Sequence, residues 1–85
     1  MTSTCTERYW RLFNALPLEV RDLAQKNFQL WLADPRHPSL RFKPLEGKVW
    51  SVRIGAHYRA LAKVEDQQVT WIWIGHHAEY DGLIK

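Results

Sequence analysis

The spacing of the apolar residues changes from helical to alternating near Leu40, and this change constrains the fold more than any other feature. Before it, apolar side chains recur every three or four residues, as on one face of a helix. After it, apolar and polar residues alternate, as in strands whose side chains point to two opposite faces. The 85 residues are therefore expected to form one domain, residues 1–85, in which helices cover a sheet.

Two helices are predicted in the first part of the chain. Thr6 is a suitable N-cap for a helix that ends near Asn14, because Pro17 disfavours helical geometry in the residue before it. Pro17 is well placed as the first residue of a second helix, which Asp34 ends. Residues 1–5 are expected to lie outside regular structure or to form, at most, a short edge strand. The apolar stripe of the second helix contains Val20, Leu23, Ala24, Phe28 and Trp31.

Four segments with strand character follow the helices and are joined by tight turns. Pro44 cannot donate a hydrogen bond to a neighbouring strand, so the first of them should be an edge strand. The segment after Gly75 is expected to wind into a terminal helical turn. The predicted fold class is α+β, with two N-terminal helices packed on one face of a small antiparallel sheet, a meander. The predicted strands are 40–46, 49–55, 58–65 and 69–75.

Composition excludes several classes of protein. Cys5 is the single cysteine, which excludes an internal disulfide framework and a cysteine-rich zinc site. No run of about 18 apolar residues is present, and the N-terminus lacks a signal-peptide core, so we expect a cytoplasmic protein without a membrane partner. The net charge of +3 is basic but weak as an indication of a nucleic-acid partner.

The distribution of the cations says more than their number. In each predicted strand the cations lie at positions opposite to the apolar ones, so they should share the sheet face that the helices leave uncovered. The acids of this face, Glu46 and Glu65, both lie at strand ends, and such a surface attracts phosphates. The alternative is a sheet face that is polar only because water covers it. The cations are Arg41, Lys43, Arg53, Arg59 and Lys63.

The last strand is apolar at both parities and leaves two arrangements open. Trp71 and Trp73 share their parity with His77, whereas the isoleucines of this strand share that of His76. If the isoleucines face the helices, the tryptophans lie on the basic face and can stack on unpaired bases. The opposite assignment buries the tryptophans in the core.

The histidine pair at the end of this strand, His76 and His77, has two possible functional interpretations, a metal site and a proton-transfer site. Adjacent strand residues point apart, no cysteine is near, and no carboxylate has a recognised ligand spacing, so neither a metal nor a cofactor is expected. A histidine at a strand end near two arginines suits proton transfer, because its ordinary pKa is about 6.5. Alternatively, the histidines only cap the strand. His37 lies in a loop and receives no role.

Four segments together indicate a protein family, both by their residues and by their order along the chain. They are LP at 16–17, DPRHPSLRFKPL at 34–45, WSVRIGAHYRALA at 50–62 and WIGHHAEYD at 73–81. With the helix pair, they resemble the RelE/ParE toxin superfamily of bacterial type II toxin–antitoxin systems. The resemblance implies an α+β toxin that a cognate antitoxin neutralises. In its RelE-like branch, it implies a metal-independent endoribonuclease that cuts mRNA in the ribosomal A site and so inhibits translation.

The resemblance also implies site residues. Arg59 matches the arginine of the family's Y-R-hydrophobic strand, His77 falls near the terminal catalytic position, and Arg53 lies where basic residues are common. We predict that the two arginines stabilise phosphate charge and that His77 is the general acid. The general base is left open among Glu46, Lys43 and His76. The residues expected to bind RNA are Arg41, Lys43, Lys63, His76 and Tyr80.

Two rival functions share the same fold. A ParE-like protein would inhibit DNA gyrase without nuclease chemistry. A degenerate toxin would survive only as an antitoxin-binding protein.

Overall fold

The computed structural model describes residues 2–83, with side chains as far as Gly82. One short strand comes first, two helices follow it, and the remaining four strands of a five-stranded sheet and a third helix complete this part of the chain. None of the helices in residues 2–83 combines the length and the apolar content that a membrane span requires. The elements are β1 (Thr2–Cys5), α1 (Glu7–Asn14), α2 (Leu18–Ala33), β2 (Lys43–Glu46), β3 (Val49–Ile54), β4 (Tyr58–Glu65), β5 (Gln68–His76) and α3 (His77–Leu83), with a 3₁₀ helix at Pro38–Leu40.

The strand order across the sheet is β1, β5, β4, β3, β2. The strands β2 to β5 form the predicted antiparallel meander, and β2, which contains Pro44, is an edge strand as expected. The sheet is not wholly antiparallel, because β1 runs parallel to β5 on the other edge. Ser3 on β1 accepts a 3.0 Å hydrogen bond from Trp71 Nε1. The small polar side chains of β1 give no periodic signal, and backbone pairing makes the strand.

The helix boundaries follow the local signals in the sequence. The Thr6 hydroxyl accepts a 3.1 Å hydrogen bond from the Tyr9 backbone, so Thr6 is the N-cap of α1. Pro17 is the N-cap of α2 and not its first residue, and Asp34 is the C-cap. The helix α3 confirms the expected terminal turn and extends it to seven residues.

Arg41 is the residue at which the strand prediction fails. Its φ of 47° lies in the left-handed region, and it closes the 3₁₀ helix that precedes β2. The strand therefore begins at Lys43, and Arg41 does not alternate with it along one face. Leu40 is fully buried although it lies outside the strand, so its apolar side chain extends the alternating pattern of β2.

The main core lies between the sheet and the helices α1 and α2. Its centre is aromatic, because the Trp31 and Trp71 rings meet edge to face with centroids 5.3 Å apart. The predicted inner positions of β3 and β4 all belong to this face. The buried members are Phe13, Ala24, Trp31, Leu40, Val52, Ile54, Ala60, Ala62, Val69, Trp71 and Ile74.

A bulge in β5 divides the two tryptophans between opposite faces of the sheet. Leu61 pairs with Trp73 and Ala62 with Trp71, so Ile72 has no partner on β4. The extra residue reverses the parity of everything that follows it, and Trp71 and Ile74 therefore share the helix-covered face. Trp73 lies on the other face. Both tryptophans are buried, so neither is an exposed stacking platform.

The face opposite the main core is covered in part by α3. Leu61 and Trp73 pack there against Tyr80, and all three are at most 9% exposed. This second core was absent from the sequence prediction, which left the whole face to solvent and cations. The same packing holds α3, which begins at His77, against the sheet next to the end of β5.

Candidate functional site

Two arginines face each other at one end of the sheet. Arg53 on β3 and Arg59 on β4 are direct partners in the register, and Arg59 pairs on its other side with Gly75 of β5. His77 follows Gly75 by two residues, so the three residues predicted to be catalytic lie at the same end of the sheet. Like charges directly opposite each other repel, so this pairing costs stability and calls for an explanation.

Each arginine is held by a backbone carbonyl and not by an acid. Arg53 Nε donates to the Gly55 carbonyl at 2.9 Å, and Arg59 Nη1 donates to the Tyr58 carbonyl at 2.8 Å. Both side chains are half-buried, and within residues 2–82 neither forms an ion pair. Two half-buried guanidinium groups without a carboxylate partner provide positive charge and free N–H donors for a phosphate.

The other predicted RNA-binding cations are spread around this pair. Arg41, although outside the strand, borders the same open depression as Arg53, at the edge where β2 is too short to cover β3. Lys43 pairs with Ser51 and is exposed on the arginine face. Lys63 lies four residues along β4 from Arg59, about 13 Å away at the usual rise of a strand.

Lys63 also differs from the arginines in having an acidic partner. Glu65 lies 3.5 Å from Lys63 Nζ and 3.2 Å from Lys48 Nζ. The hydrogen bond and charge of Lys48, followed by the charge of Lys63, lower the pKa of the Glu65 carboxyl. Positive charge is therefore offset at the Lys63 end of the sheet and is left unpaired at the Arg59 end.

Three of the four histidines meet at this end of the sheet. His57 ends the turn between β3 and β4, and its carbonyl accepts a 2.7 Å hydrogen bond from the His77 backbone. The His76 and His77 ring centroids are 4.4 Å apart, and both lie about 6 Å from that of His57. The potential ligand atoms of the three rings lie within 4.8 Å of one another. We call these three residues the histidine cluster.

His76 and His77 do not point apart as two adjacent strand residues would, and the sequence prediction was wrong here. β5 ends at His76 and α3 begins at His77. The change from extended to helical backbone brings the two rings together. His57 was missed because a single histidine in a turn carries no periodic signal, and only the pairing of β4 with β5 places it beside the others.

One hydrogen bond and one longer contact with a carboxylate lie next to two of the three rings. His76 Nδ1 accepts the backbone N–H of Ala78 at 3.1 Å, which caps the start of α3. His77 Nδ1 lies 3.8 Å from the Asp81 carboxylate, one helical turn further along. The carboxylate is thus within reach of the His77 ring on the side of Nδ1, and Nε2 is directed away from it.

Tyr80 lies apart from this chemistry. Its side chain is 9% exposed and packs on Leu61 and Trp73, so its ring holds α3 against the sheet and has no open face for a base. His37, which was given no role, lies outside the cluster and caps the 3₁₀ helix through a hydrogen bond from the Ser39 backbone.

A family model matches most of this chain, and solved structures of other proteins share its fold. The family model described as the ParE-like toxin domain matches residues 18–82. This range includes both arginines and the histidine cluster. No curated protein matches the sequence.

Solved structures of toxins share the fold. RelE in the RelB–RelE complex of Methanococcus jannaschii superposes with a TM-score of 0.75 at 12% identity, over 96% of this chain and 99% of that one. The YoeB/ParE toxin of Agrobacterium tumefaciens gives 0.70 at 19% identity, over 91% and 99% of the two chains. The isolated RelE toxin of E. coli gives 0.69 at 20% identity, over 99% and 98%. The likeness confirms the α+β fold of two helices and a mostly antiparallel sheet.

Proposed function

Because the chain belongs to the ParE-like toxin domain family, we propose that it is the toxin of a type II toxin–antitoxin system and cleaves mRNA on the ribosome. The observation that carries the nuclease assignment is the pair Arg53 and Arg59, which has no acidic partner among residues 2–82 and lies beside the histidine cluster. Charge for a phosphate and groups for proton transfer are the two requirements of RNA cleavage.

The proposed reaction is an attack of the RNA on itself. The 2′-oxygen of one nucleotide forms a bond to the adjacent phosphorus, and the bond from that phosphorus to the 5′-oxygen of the next nucleotide breaks. A base takes the 2′-hydroxyl proton, and His77 gives a proton to the leaving 5′-oxygen. The products are a 2′,3′-cyclic phosphate and a 5′-hydroxyl. Arg53 and Arg59 neutralise the charge that develops on the phosphorane oxygens.

His76 is the nearest of the three candidate bases to His77, and it can accept the 2′-hydroxyl proton at Nδ1 once that nitrogen releases the Ala78 N–H. Its ring centroid lies 4.4 Å from that of His77, so both rings can reach one phosphodiester. Glu46 pairs with Val49, four residues along β3 from Arg53 and thus about 13 Å away. Lys43 is exposed on the short edge strand, where its side chain suits a contact with an RNA phosphate.

Two matched variants test the assignment in cells. Arg59→Ala and Lys63→Ala each remove one cation from β4, but only Arg59 lies at the histidine end of the sheet. Arg59→Ala should lower ribosome-dependent mRNA cleavage about 100-fold or more and abolish growth inhibition, as loss of a donor to a transition-state oxygen does. Lys63→Ala should remain toxic. An equal loss of mRNA cleavage in both variants would show that these cations only attract RNA electrostatically, and it would refute the mechanism.

The rival functions predict other outcomes. A gyrase inhibitor would block DNA supercoiling in a purified assay and leave mRNA intact, and Arg59→Ala would not change mRNA in cells. A degenerate toxin would fold normally and leave growth unchanged when it is expressed alone. Growth arrest with cleaved mRNA and normal supercoiling supports the nuclease.

An antitoxin partner is part of the same proposal. RelE of M. jannaschii and RelE of E. coli have both been crystallised in complexes with RelB antitoxins. In this chain, four large apolar side chains on α1 and α2 are more than a third exposed, which an amphipathic antitoxin segment would cover. A Leu18→Glu, Leu32→Glu double variant should stay toxic when its antitoxin is coexpressed, and full neutralisation would contradict this contact. The exposed side chains are Trp10, Leu18, Leu23 and Leu32.

A further inference from the structure

The histidine cluster joins two elements that are far apart in the sequence. His57 belongs to the turn after β3, whereas His76 and His77 stand at the junction of β5 and α3. The pairing of Tyr58 with His76 and the hydrogen bond from the His77 backbone to the His57 carbonyl hold these two elements in register. The pairing of the strands therefore holds the three imidazoles close together.

The separation of the ring nitrogens is close to that of a metal site. Ligand atoms of all three rings lie within 4.8 Å of one another. Nitrogens at about 2.0–2.1 Å from a tetrahedral Zn²⁺ stand about 3.3 Å apart, so the ring nitrogens need to approach by at most about 1.5 Å. His57 is exposed, and a rotation of its side chain can supply this movement without disturbing the core.

One neighbouring group favours a bound cation, whereas Arg53 and Arg59 at the same end of the sheet oppose it. The Asp81 carboxylate lies 3.8 Å from His77 Nδ1, and a small approach would give the carboxylate–histidine hydrogen bond that orients metal-binding imidazoles and leaves Nε2 for the metal. His76 Nδ1 is occupied by the Ala78 N–H, so metal binding exchanges that exposed hydrogen bond for a bond to the metal or requires the other tautomer. Metal binding therefore costs one exposed capping hydrogen bond and requires no change at a buried group.

From this geometry we propose that His57, His76 and His77 bind a divalent transition-metal ion of the zinc type. Imidazole nitrogens suit Zn²⁺, Ni²⁺ and Cu²⁺, whereas Mg²⁺ and Ca²⁺ require oxygen ligands. Three histidines leave a fourth position for water. This proposed metal site depends only on the positions of the three imidazole rings. It is therefore independent of whether the protein cleaves RNA.

Calorimetry with untagged, metal-free protein tests the site, because a histidine tag would bind the same ions. Titration with ZnCl₂ should show one ion per chain. His57→Ala should weaken binding at least tenfold, and Asp81→Asn about tenfold, as loss of an orienting carboxylate does. His37→Ala is the matched control, because it removes the histidine outside the cluster and should leave the affinity unchanged.

Cobalt gives an independent reading of the geometry. Co²⁺ added to the protein should produce the strong visible absorption of a four-coordinate ion, and excess Zn²⁺ should remove it. His57→Ala lies in an exposed turn and keeps the fold, so its result counts even if His76→Ala loosens α3. Absence of saturable Zn²⁺ binding, or equal weakening by His37→Ala and His57→Ala, would overturn the proposal.

Discussion

Substitution of Gly75 by alanine tests the packing of the Trp73 ring over Gly75 at the end of β5, next to the candidate site. An added Cβ at Gly75 would lie 2.6 Å from Cζ2 and 2.8 Å from Cη2 of Trp73, well inside normal contact. The tryptophan ring is 6% exposed and packs on Leu61 and Tyr80, so it has little room to retreat. Overpacking of this kind costs about 1–3 kcal/mol of the free energy of unfolding.

The expected change is large for a domain of this size. Each kcal/mol lowers Tm by about 4–8 °C in a domain of 60–100 residues, so Gly75→Ala should lower Tm by at least about 4 °C. Urea unfolding followed by tryptophan fluorescence should show a lower midpoint with an unchanged slope.

Gly82→Ala is the matched control for this measurement. It makes the same substitution within α3, where an added Cβ meets none of the described atoms within 4 Å other than the chain neighbours and the backbone of the helix itself. Because alanine favours helix over glycine, Gly82→Ala should leave Tm unchanged or raise it. A Gly75→Ala protein as stable as the wild type would show that Trp73 does not lie over Gly75, and the account of the bulge and the second core would be wrong.

Three further predictions concern the N-terminal strand, alkaline stability and zinc. Ser3→Ala removes the acceptor of the buried Trp71 Nε1 and should cost about 1–3 kcal/mol, visible as a lower Tm; an unchanged Tm would mean that this bond contributes nothing. Burial, with a smaller contribution from the charge of Cys5, raises the pKa of Tyr9 to about 12. The folded state thus favours the protonated phenol, so its contribution to stability is present below about pH 10 and is lost as the pH rises towards 12. Urea midpoints from pH 9 to 12 should therefore fall more steeply for the wild type than for Tyr9→Phe, and parallel curves would refute the shift. If His77 is both proton donor and metal ligand, stoichiometric Zn²⁺ should slow RNA cleavage and EDTA should restore it, whereas faster cleavage with Zn²⁺ would separate the two roles.

Much of the fold was predictable because its signals are local. Thr6 and Pro17 mark helix boundaries through hydrogen bonding and backbone sterics, which act within a few residues. The alternation in β3 and β4 assigned Arg53 and Arg59 to one face, and the register confirms that they are neighbours. A pattern of period two is sufficient wherever a strand is regular and covered on one face.

The errors arise where a single backbone event changes the pattern. In β5 the residues are apolar at both parities, so the bulge at Ile72 interrupts no visible alternation and its reversal of Trp71 and Trp73 leaves no mark in the sequence. Arg41 adopts a left-handed conformation because it closes a 3₁₀ helix, a context that a strand-like run of residues conceals. β1 depends on backbone pairing with β5, to which its small side chains add little.

The candidate site was predicted in part for the same reasons. The parity of β3 and β4 identified the arginines, whereas the histidine cluster depends on a turn that the β4–β5 register carries next to the start of α3. His57 is twenty residues from His77, and nothing in the spacing between them indicates contact. Proximity of this kind is a property of the folded sheet and is invisible to periodicity.

The most direct test of the central claim is the chemistry of the RNA ends. Purified translating ribosomes would be incubated with this protein and an mRNA whose cleaved nucleotide carries either a 2′-hydroxyl or a 2′-hydrogen, with Arg59→Ala as the inactive control. We predict a 2′,3′-cyclic phosphate product from the first mRNA and no cleavage of the second. A 3′-hydroxyl product, or equal cleavage of the deoxy-substituted mRNA, would contradict attack by the 2′-hydroxyl.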